Sequence, residues 1–388
     1  MTPLASTPHP TLPRATASDA PPTAPRKWTV LLYSAADNDL RPWMEHDVAE
    51  MEQVGGDQNT NLLVQIDRGR AGGGCQRIAL QSDASLGGAP DVIDSPVDQD
   101  LGQVNMASAD TLAGALRWAM QKYPAEHFML VISDHGNAWK GCCQDDSHLG
   151  WMNLPALKSA LQTVTAETGR KLDVVGFDAC LMASTEVAWQ LKDQARYMVA
   201  SEQTEGADGW PYTPILGNGR LEALQARLNQ RLNTTPEELV KRIVGKSADT
   251  PEITHTLSAI DLEKMAPLQQ ALIDLRGALL APQVTQGQLR EVLAGCEHFF
   301  GYRDLGHWLS LLSADGPVND PAVKAAAQRA QEAYRDLIIA EQHNGDHPNA
   351  SGLTIHLTKP NDVYTYMALD FQKATDWVAV GNKTGPPV

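Results

Sequence analysis

Two apolar runs, each leading to a chemically reactive residue, are the feature that most constrains the fold of this chain. Residues 128–132 lead through Ser133 and Asp134 to His135, and residues 172–177 lead through Asp178 to Cys180. Runs that are largely apolar rather than alternating predict strands buried on both faces, as in a parallel sheet. His135 and Cys180 are therefore expected just past the ends of two strands.

The segment between the two runs predicts that their strands are parallel neighbours. Asn153 can cap a helix whose apolar positions recur at helical spacing and which Gly169 ends. A right-handed strand–helix–strand crossover brings both carboxyl ends to one edge of the sheet, where α/β proteins bind ligands. A thiol and an imidazole there predict a nucleophile and its proton-transfer partner. The alternative is a small buried Cys180 and an ordinary loop His135, and position alone does not separate the two interpretations.

The rest of the chain from Lys27 alternates strand and helix patterns, which predicts an α/β fold with helices on both sides of a sheet. Further strands are expected at residues 28–33, 61–67, 76–80 and 197–201, and a helix at 181–191 directly after Cys180. The second half is more helical, with helix starts at Thr235 and Asp320. Residues 351–357 resemble a late strand that we expect to return to an edge of the sheet.

Three segments follow from composition. Residues 1–26, rich in Pro, Thr and Ala, predict a disordered leader, and residues 27–388 the folded domain. The folded domain can be divided into a catalytic core that ends at about residue 218 and a helical appendage, with the late strand, over about 219–388. A single undivided core explains the sequence equally well. The leader lacks the apolar segment of a secretory signal, so the default expectation is a cytoplasmic protein.

The net charge and the cysteine content limit which partners, disulfide bonds and metal sites this chain can have. The net charge of −16 argues against binding to nucleic acid, and no stretch approaches the roughly 20 apolar residues of a membrane span. Five irregularly spaced cysteines predict at least one free thiol. The cluster from Cys142 to His148 lacks the spacing of a zinc site, and Asp145 with Asp146 falls far short of a calcium cage. We therefore expect no metal site among these residues and no required cofactor, and calcium is left as a possible ligand.

The position of Cys180 suggests how a thiolate could form. A helix beginning directly after it would lower the thiol pKa through the helix dipole. The backbone amides of Gly136 and Cys180 are the candidate donors of an oxyanion hole.

The segments Asp134-His135-Gly136 and Asp178-Ala179-Cys180-Leu181-Met182 closely resemble the active-site motifs of the clostripain family of cysteine peptidases, family C11 of clan CD. Matching segments from about Lys27 to Leu357 extend the resemblance, among them residues 28–40, 200–212, 257–262 and 351–355. It implies a caspase-like three-layer sandwich with a mostly parallel sheet and a helical C-terminal part. His135 is then the general acid/base and Cys180 the nucleophile, with no third catalytic residue required.

The resemblance also implies a substrate class. Relatives cleave proteins or peptides after Arg or Lys, and Asp178 matches the position that binds the basic side chain, with Asp208 as a second candidate. Some relatives require calcium, some are exported, and some cleave themselves between the two motifs, for which Lys140 is the candidate here. The alternatives are an amidase or transpeptidase on the same fold, or an inactive relative acting as a binding module.

Overall fold

The computed structural model describes residues 25–82, 92–217, 232–249 and 255–386, and its centre is a nine-stranded sheet. Five parallel strands form the middle of this sheet: β9 (Ala195–Ala200), β8 (Leu172–Asp178), β5 (Ala125–Ser133), β1 (Arg26–Ser34) and β2 (Thr60–Asp67). Antiparallel strands extend both edges: β10 (Thr256–Asp261) and β13 (Ile338–His343) beyond β9, and β3 (Cys75–Ala79) and β4 (Val97–Gly102) beyond β2. The predicted mostly parallel α/β sheet is confirmed.

Helices cover both faces of the sheet. In chain order they are α1 (Arg41–Val54), α2 (Ala109–Lys122), α3 (Leu154–Thr168), α4 (Thr185–Leu191), α5 (Tyr212–Leu216), α6 (Pro236–Ser247), α7 (Met265–Leu279), α8 (Gln286–Ala294), α9 (Leu305–Ser313), α10 (Pro321–Leu337), α11 (Val363–Met367), α12 (Asp370–Thr375) and α13 (Val378–Thr384). Short 3₁₀ helices span Arg70–Gly72, Ala138–Lys140 and Leu262–Lys264.

Two smaller sheets lie outside the central one. A hairpin pairs β6 (Cys142–Asp145) with β7 (Gly150–Met152), and a three-stranded sheet joins β11 (His298–Phe299), β12 (Tyr302–Asp304) and β14 (Thr354–Ile355). Within the described segments, no helix is both long and apolar enough to cross a membrane.

The two faces bury separate apolar cores. One core packs the inner sides of α2, α3 and α4 against the sheet and continues into the C-terminal helices. The other packs α1, α5 and α6 against the opposite face. Local signals explain the helix between the two motifs: Asn153 Oδ1 accepts a hydrogen bond from Ala156 N at 2.9 Å, and Gly169 ends α3 in the left-handed conformation at φ 68°.

Two elements differ from the sequence-based expectation. Helix α4 begins at Thr185 instead of residue 181, because Leu181 has φ 65° and Ser184 caps the helix by accepting a hydrogen bond from Val187 N at 3.3 Å. The late strand is confined to Thr354–Ile355 and pairs with β12, while the sheet edge is formed by β13. The predicted starts at Thr235 and Asp320 are confirmed as the caps of α6 and α10.

The C-terminal part therefore contributes two strands to the central sheet besides its helices. Most of the predicted leader, residues 1–24, and the suggested division near residue 219 lie outside the described residues. The domain division remains a prediction.

Candidate active site

The register of β5 and β8 brings the two motifs together. Ser133 pairs with Asp178 at the carboxyl ends of these parallel strands, and Asp134 N donates to Asp178 O at 3.3 Å. His135 and Cys180 each follow this pair by two residues. The next residue, Gly136, packs so closely that a Cβ atom there would lie 2.3 Å from Cys180 O. Any larger residue at position 136 would push the two loops apart.

His135 is held from the solvent side by a carboxylate. Its Nε2 lies 2.8 Å from Asp39 Oδ1, and 77% of the Asp39 side chain is exposed. The hydrogen bond with His135 lowers the pKa of Asp39. Next to it, Asn38 Nδ2 donates to Asp134 Oδ1 at 2.7 Å and to Gln144 O at 3.1 Å, which ties the loop after β1 to the His135 loop.

Cys180 is half-buried, and its thiol has one backbone donor. Glu205 N lies 3.4 Å from Cys180 Sγ. Burial raises the pKa of the Cys180 thiol, and the nearby charges of Asp178 and Asp134 raise it further. The expected helix-dipole effect on this pKa is therefore wrong, since α4 starts five residues after Cys180.

A cleft of about 280 Å³ opens beside these two residues. Its walls come from α1, from the ends of β5 and β8, and from the loop after β9: Leu40, Met44, Asp47, Ser133, Asp134, His135, Asp178, Ala179, Cys180, Thr204, Glu205, Gly206, Ala207 and Gly209. His135 and Cys180 thus line the same cleft.

Three acidic side chains, Asp47, Asp178 and Glu205, form an acidic cluster in this cleft. Asp178 Oδ2 accepts hydrogen bonds from Tyr212 Oη at 2.8 Å and from Trp210 N at 3.2 Å. Burial raises the pKa of all three carboxyls. The charge of Asp178 also acts on Glu205 and raises the pKa of that carboxyl further.

Part of the acidic cluster has unused hydrogen-bonding capacity. Within the described residues, the buried Asp47 Oδ1 and Glu205 Oε2 have no hydrogen-bond partner. Gly209 approaches two of the carboxyls so closely that a Cβ atom there would lie 2.8 Å from Asp178 Oδ2 and 3.0 Å from Asp47 Oδ2. Buried carboxyl oxygens without donors favour a cationic or hydrogen-bond-donating ligand.

The structure separates the two predicted specificity residues. Asp178 lines the cleft, whereas Asp208 is exposed and is absent from the cleft wall. Sequence reasoning missed Asp47 and Glu205. Glu205 lies in the segment 200–212 that carried part of the family resemblance, so its proximity to Asp178 could have been suspected. Asp47 on α1 gave no comparable signal.

The remaining candidates lie outside the cleft. Lys140, expected in a loop, belongs to the 3₁₀ helix Ala138–Lys140, and the Gly141 that follows is buried with φ 112°. Asp145 Oδ1 accepts from His148 N at 2.9 Å and its Oδ2 from Met106 N at 2.8 Å. Among the described residues, no group of three or more His, Cys, Asp or Glu side chains is arranged to hold a metal ion.

The model of the clostripain family, peptidase family C11, matches residues 32–308. The chain therefore belongs to the clostripain family of cysteine peptidases. Clostripain from Hathewaya histolytica is 24% identical over 222 residues, which is 49% of this chain and 41% of that protein. The chain thus matches less than half the length of this relative.

Solved structures of the family share the fold. One is a secreted C11 cysteine protease from Bacteroides thetaiotaomicron in complex with an irreversible peptide inhibitor. It superposes with a TM-score of 0.64 at 21% identity, and the superposition covers 91% of this chain and 100% of that protein's chain. An inactive zymogen C11 protease from Parabacteroides distasonis gives a TM-score of 0.66 at 21% identity over 91% of this chain and 99% of its own. At this identity the likeness concerns the fold alone.

Proposed function

We propose that this protein is a cysteine endopeptidase that cleaves peptide bonds after Arg or Lys, with Cys180 as nucleophile and His135 as general acid/base. One observation carries the proposal: the register of β5 and β8 sets His135 and Cys180 at matching distances beyond the paired Ser133 and Asp178, beside a cleft that holds an acidic cluster. The similarity to clostripain supports the preference for a basic residue.

The contact with Asp39 indicates which ring nitrogen of His135 accepts the proton from Cys180. A carboxylate only accepts hydrogen bonds, so His135 Nε2 carries the hydrogen toward Asp39 Oδ1. Nδ1 is then unprotonated and able to take the thiol proton of Cys180. Asp39 is a positioning residue in this scheme, because it acts through His135 by fixing the tautomer of the ring.

Burial raises the pKa of the Cys180 thiol, and in the proposed mechanism the thiol passes its proton to His135 as it attacks. Sγ forms a bond to the carbonyl carbon while His135 accepts the proton. The C–N bond then breaks as His135 returns the proton to the departing amine, leaving an acyl-enzyme. Water attacks this thioester, His135 takes its proton, and Sγ leaves with that proton restored. The amides of Gly136 and Cys180 are the proposed donors to the oxyanion.

The acidic cluster supports the substrate preference. An Arg side chain entering the cleft would supply donors to the unpartnered Asp47 Oδ1 and Glu205 Oε2, and its charge would face Asp178. The exposed Asp208 contributes only at longer range, through its charge on Asp47. Asp178 is therefore the proposed main determinant, aided by Asp47 and Glu205.

Active-site labelling tests the proposal. A peptidyl acyloxymethyl ketone with Arg at the reactive position is expected to modify one thiol per chain, detected by intact mass and by the labelled peptide. Cys180→Ala should abolish labelling, whereas Cys296→Ala, at a buried thiol far along the chain, should keep it. Labelling that survives Cys180→Ala would refute the assignment.

A panel of fluorogenic peptides ending in Arg, Lys, Asp or Asn separates the proposed peptidase from an amidase or transpeptidase of different specificity. We expect hydrolysis of the Arg and Lys peptides alone. Calcium dependence and cleavage at Lys140 are tested in the same assay by adding a chelator and by following the intact mass of the active enzyme.

A further inference from the structure

A second pocket of about 380 Å³ lies beyond His135, on the other side of the sheet from the acidic cluster. We call it the Lys140 pocket, and its lining residues are Asn137, Lys140, Trp151, Asn153, Asp362 and Thr365. The cleft is walled by α1, which packs on one face of the sheet. The residues 138–139 and helix α3, next to the Lys140 pocket, pack on the opposite face.

Lys140 gives this pocket a positive charge that is not taken up in an ion pair among the described residues. Its Nζ lies 5.6 Å from the centre of the Trp139 ring, and among the described residues no carboxylate lies within the 4.0 Å of an ion pair. Trp151 Nε1 donates to Lys140 O at 3.1 Å, which fixes the backbone from which the ammonium group extends.

The pocket is close enough to the reacting bond to contact a bound peptide. Asn137 in its wall is only two residues from His135, so their Cα atoms are at most about 7 Å apart. An extended peptide advances about 3.3 Å per residue. One or two substrate residues therefore cover the distance from the scissile bond.

The direction of the substrate follows from the chemistry. His135 must reach the departing amine to protonate it, so it lies toward the leaving group. The acidic cluster receives the side chain before the scissile bond, and the pocket beyond His135 then receives a side chain after it. We propose that the Lys140 pocket is a subsite for an acidic side chain on the leaving-group side of the cleaved bond, an inference that rests on the proposed function.

Asp362 is the one anion in the pocket wall, and it moderates the effect. It is exposed, and its two carboxylate oxygens accept hydrogen bonds from Thr365 N at 3.0 Å and Thr365 Oγ1 at 2.6 Å. It therefore caps α11, and the hydrogen bonds with Thr365, together with the nearby charge of Lys140, lower the pKa of Asp362. Its charge still opposes an incoming carboxylate, so removing it should strengthen the preference for acidic residues.

Paired peptides test the subsite. Internally quenched substrates with Arg before the cleaved bond carry Asp, Ala or Lys at the first or second position after it, and kcat/KM is measured for each. The wild-type enzyme is expected to favour Asp over Ala by roughly two- to fivefold, the scale of a partly exposed ion pair, and less so at high salt. The ratio should fall to about one in Lys140→Gln and below one in Lys140→Glu, and it should rise in Asp362→Asn.

The matched control is Lys171→Gln, at an exposed lysine just before the amino end of β8 and so at the opposite end of the sheet. It should leave the Asp-to-Ala ratio unchanged. An enzyme that cleaves after Arg but shows equal rates for the Asp and Ala peptides would overturn the inference alone. The same holds if Lys140→Gln slows all peptides equally, as expected of a self-cleavage position. Failure to cleave any Arg peptide would overturn the proposed function and this inference with it.

Discussion

Two groups of buried carboxyls lie near the site, and they differ in what surrounds them. The acidic cluster of Asp47, Asp178 and Glu205 lines an open cleft. The pair Glu202 and Asp304 is sealed in the interior, with exposed fractions of 1% and 0%. Burial raises the pKa in both groups.

The sealed pair has a structural role that its contacts explain. Asp304 accepts hydrogen bonds from His307 N at 2.6 Å and from Ser351 N at 2.6 Å, and Glu202 Oε2 accepts from Gly352 N at 2.9 Å. These bonds join the end of β9 to α9 and to the segment before β14. A raised carboxyl pKa alone therefore does not identify a binding site. Glu202 Oε1 is also buried without a hydrogen-bond partner, so what distinguishes the acidic cluster is its position in the wall of a cleft.

From the comparison of the two carboxyl groups, the largest loss of activity is expected for substitutions of Asp178. Asp178→Asn keeps an oxygen to accept from Tyr212 Oη but removes the negative charge, so kcat/KM for Arg peptides should fall about 100-fold or more. Asp178→Ala should abolish cleavage. Circular dichroism and thermal melting are expected to show an intact fold. A wild-type rate on Arg peptides would clear Asp178 of the specificity role.

In the sealed pair we expect a substitution to lower stability and to leave substrate specificity unchanged. Asp304→Ala leaves His307 N and Ser351 N without their acceptor and should lower the free energy of unfolding by about 3 kcal/mol, measured by urea denaturation. The ratio of Arg to Lys cleavage by the folded enzyme should not change. A shift in that ratio would show that the two carboxyl groups are not functionally separate.

The acidic cluster should also couple ligand binding to pH. Burial raises the pKa of Asp47, Asp178 and Glu205, so on acidification the empty cleft takes up protons that a bound guanidinium group would displace. Binding of an arginine amide to catalytically inactive Cys180→Ala should therefore weaken as the pH falls, by up to about tenfold per pH unit for each proton released.

Calorimetry checks this proton release directly. The apparent binding enthalpy should differ between buffers of different ionisation enthalpy, and Asp47→Asn should reduce the difference. Binding that is independent of both pH and buffer would mean that the cluster is already ionised when empty.

The sequence was sufficient for the parts of this site that depend on strand pattern. The continuous apolar runs before His135 and Cys180, with the Asn153 cap and Gly169 between them, predict two parallel strands ending together. Strand β13 was missed because Ile338–His343 follows helix α10 without a breaker and is only partly buried. Asp47 and Glu205 were missed because only tertiary packing brings a helix carboxylate and a loop carboxylate to Asp178.

Glu186 is a third case, a buried carboxyl outside the cleft whose pKa lies in a pH range where the folded protein can be studied. It is fully buried in the first turn of α4, where Oε1 accepts from His356 N and Tyr366 Oη, both at 3.0 Å. Burial raises its pKa from 4.5 to about 7. Because the folded-state pKa is the higher one, its stabilising contribution is present below pH 4.5 and is lost as the pH rises through about 7.

The wild-type protein should lose stability as the pH rises, because Glu186 becomes ionised in the interior. Glu186→Gln should remove this part of the loss. We expect the free energy of unfolding to fall between about pH 5 and pH 8 by about 2.5 kcal/mol less in the variant than in the wild type. The amide nitrogen of Gln would lack an acceptor where Glu186 Oε2 has no partner, so the variant is not expected to be more stable at low pH. Urea titrations at both pH values measure the difference. Equal pH dependence in the two proteins would mean that Glu186 is ionised throughout this range, and sealing from solvent would then not suffice to keep a carboxyl neutral here.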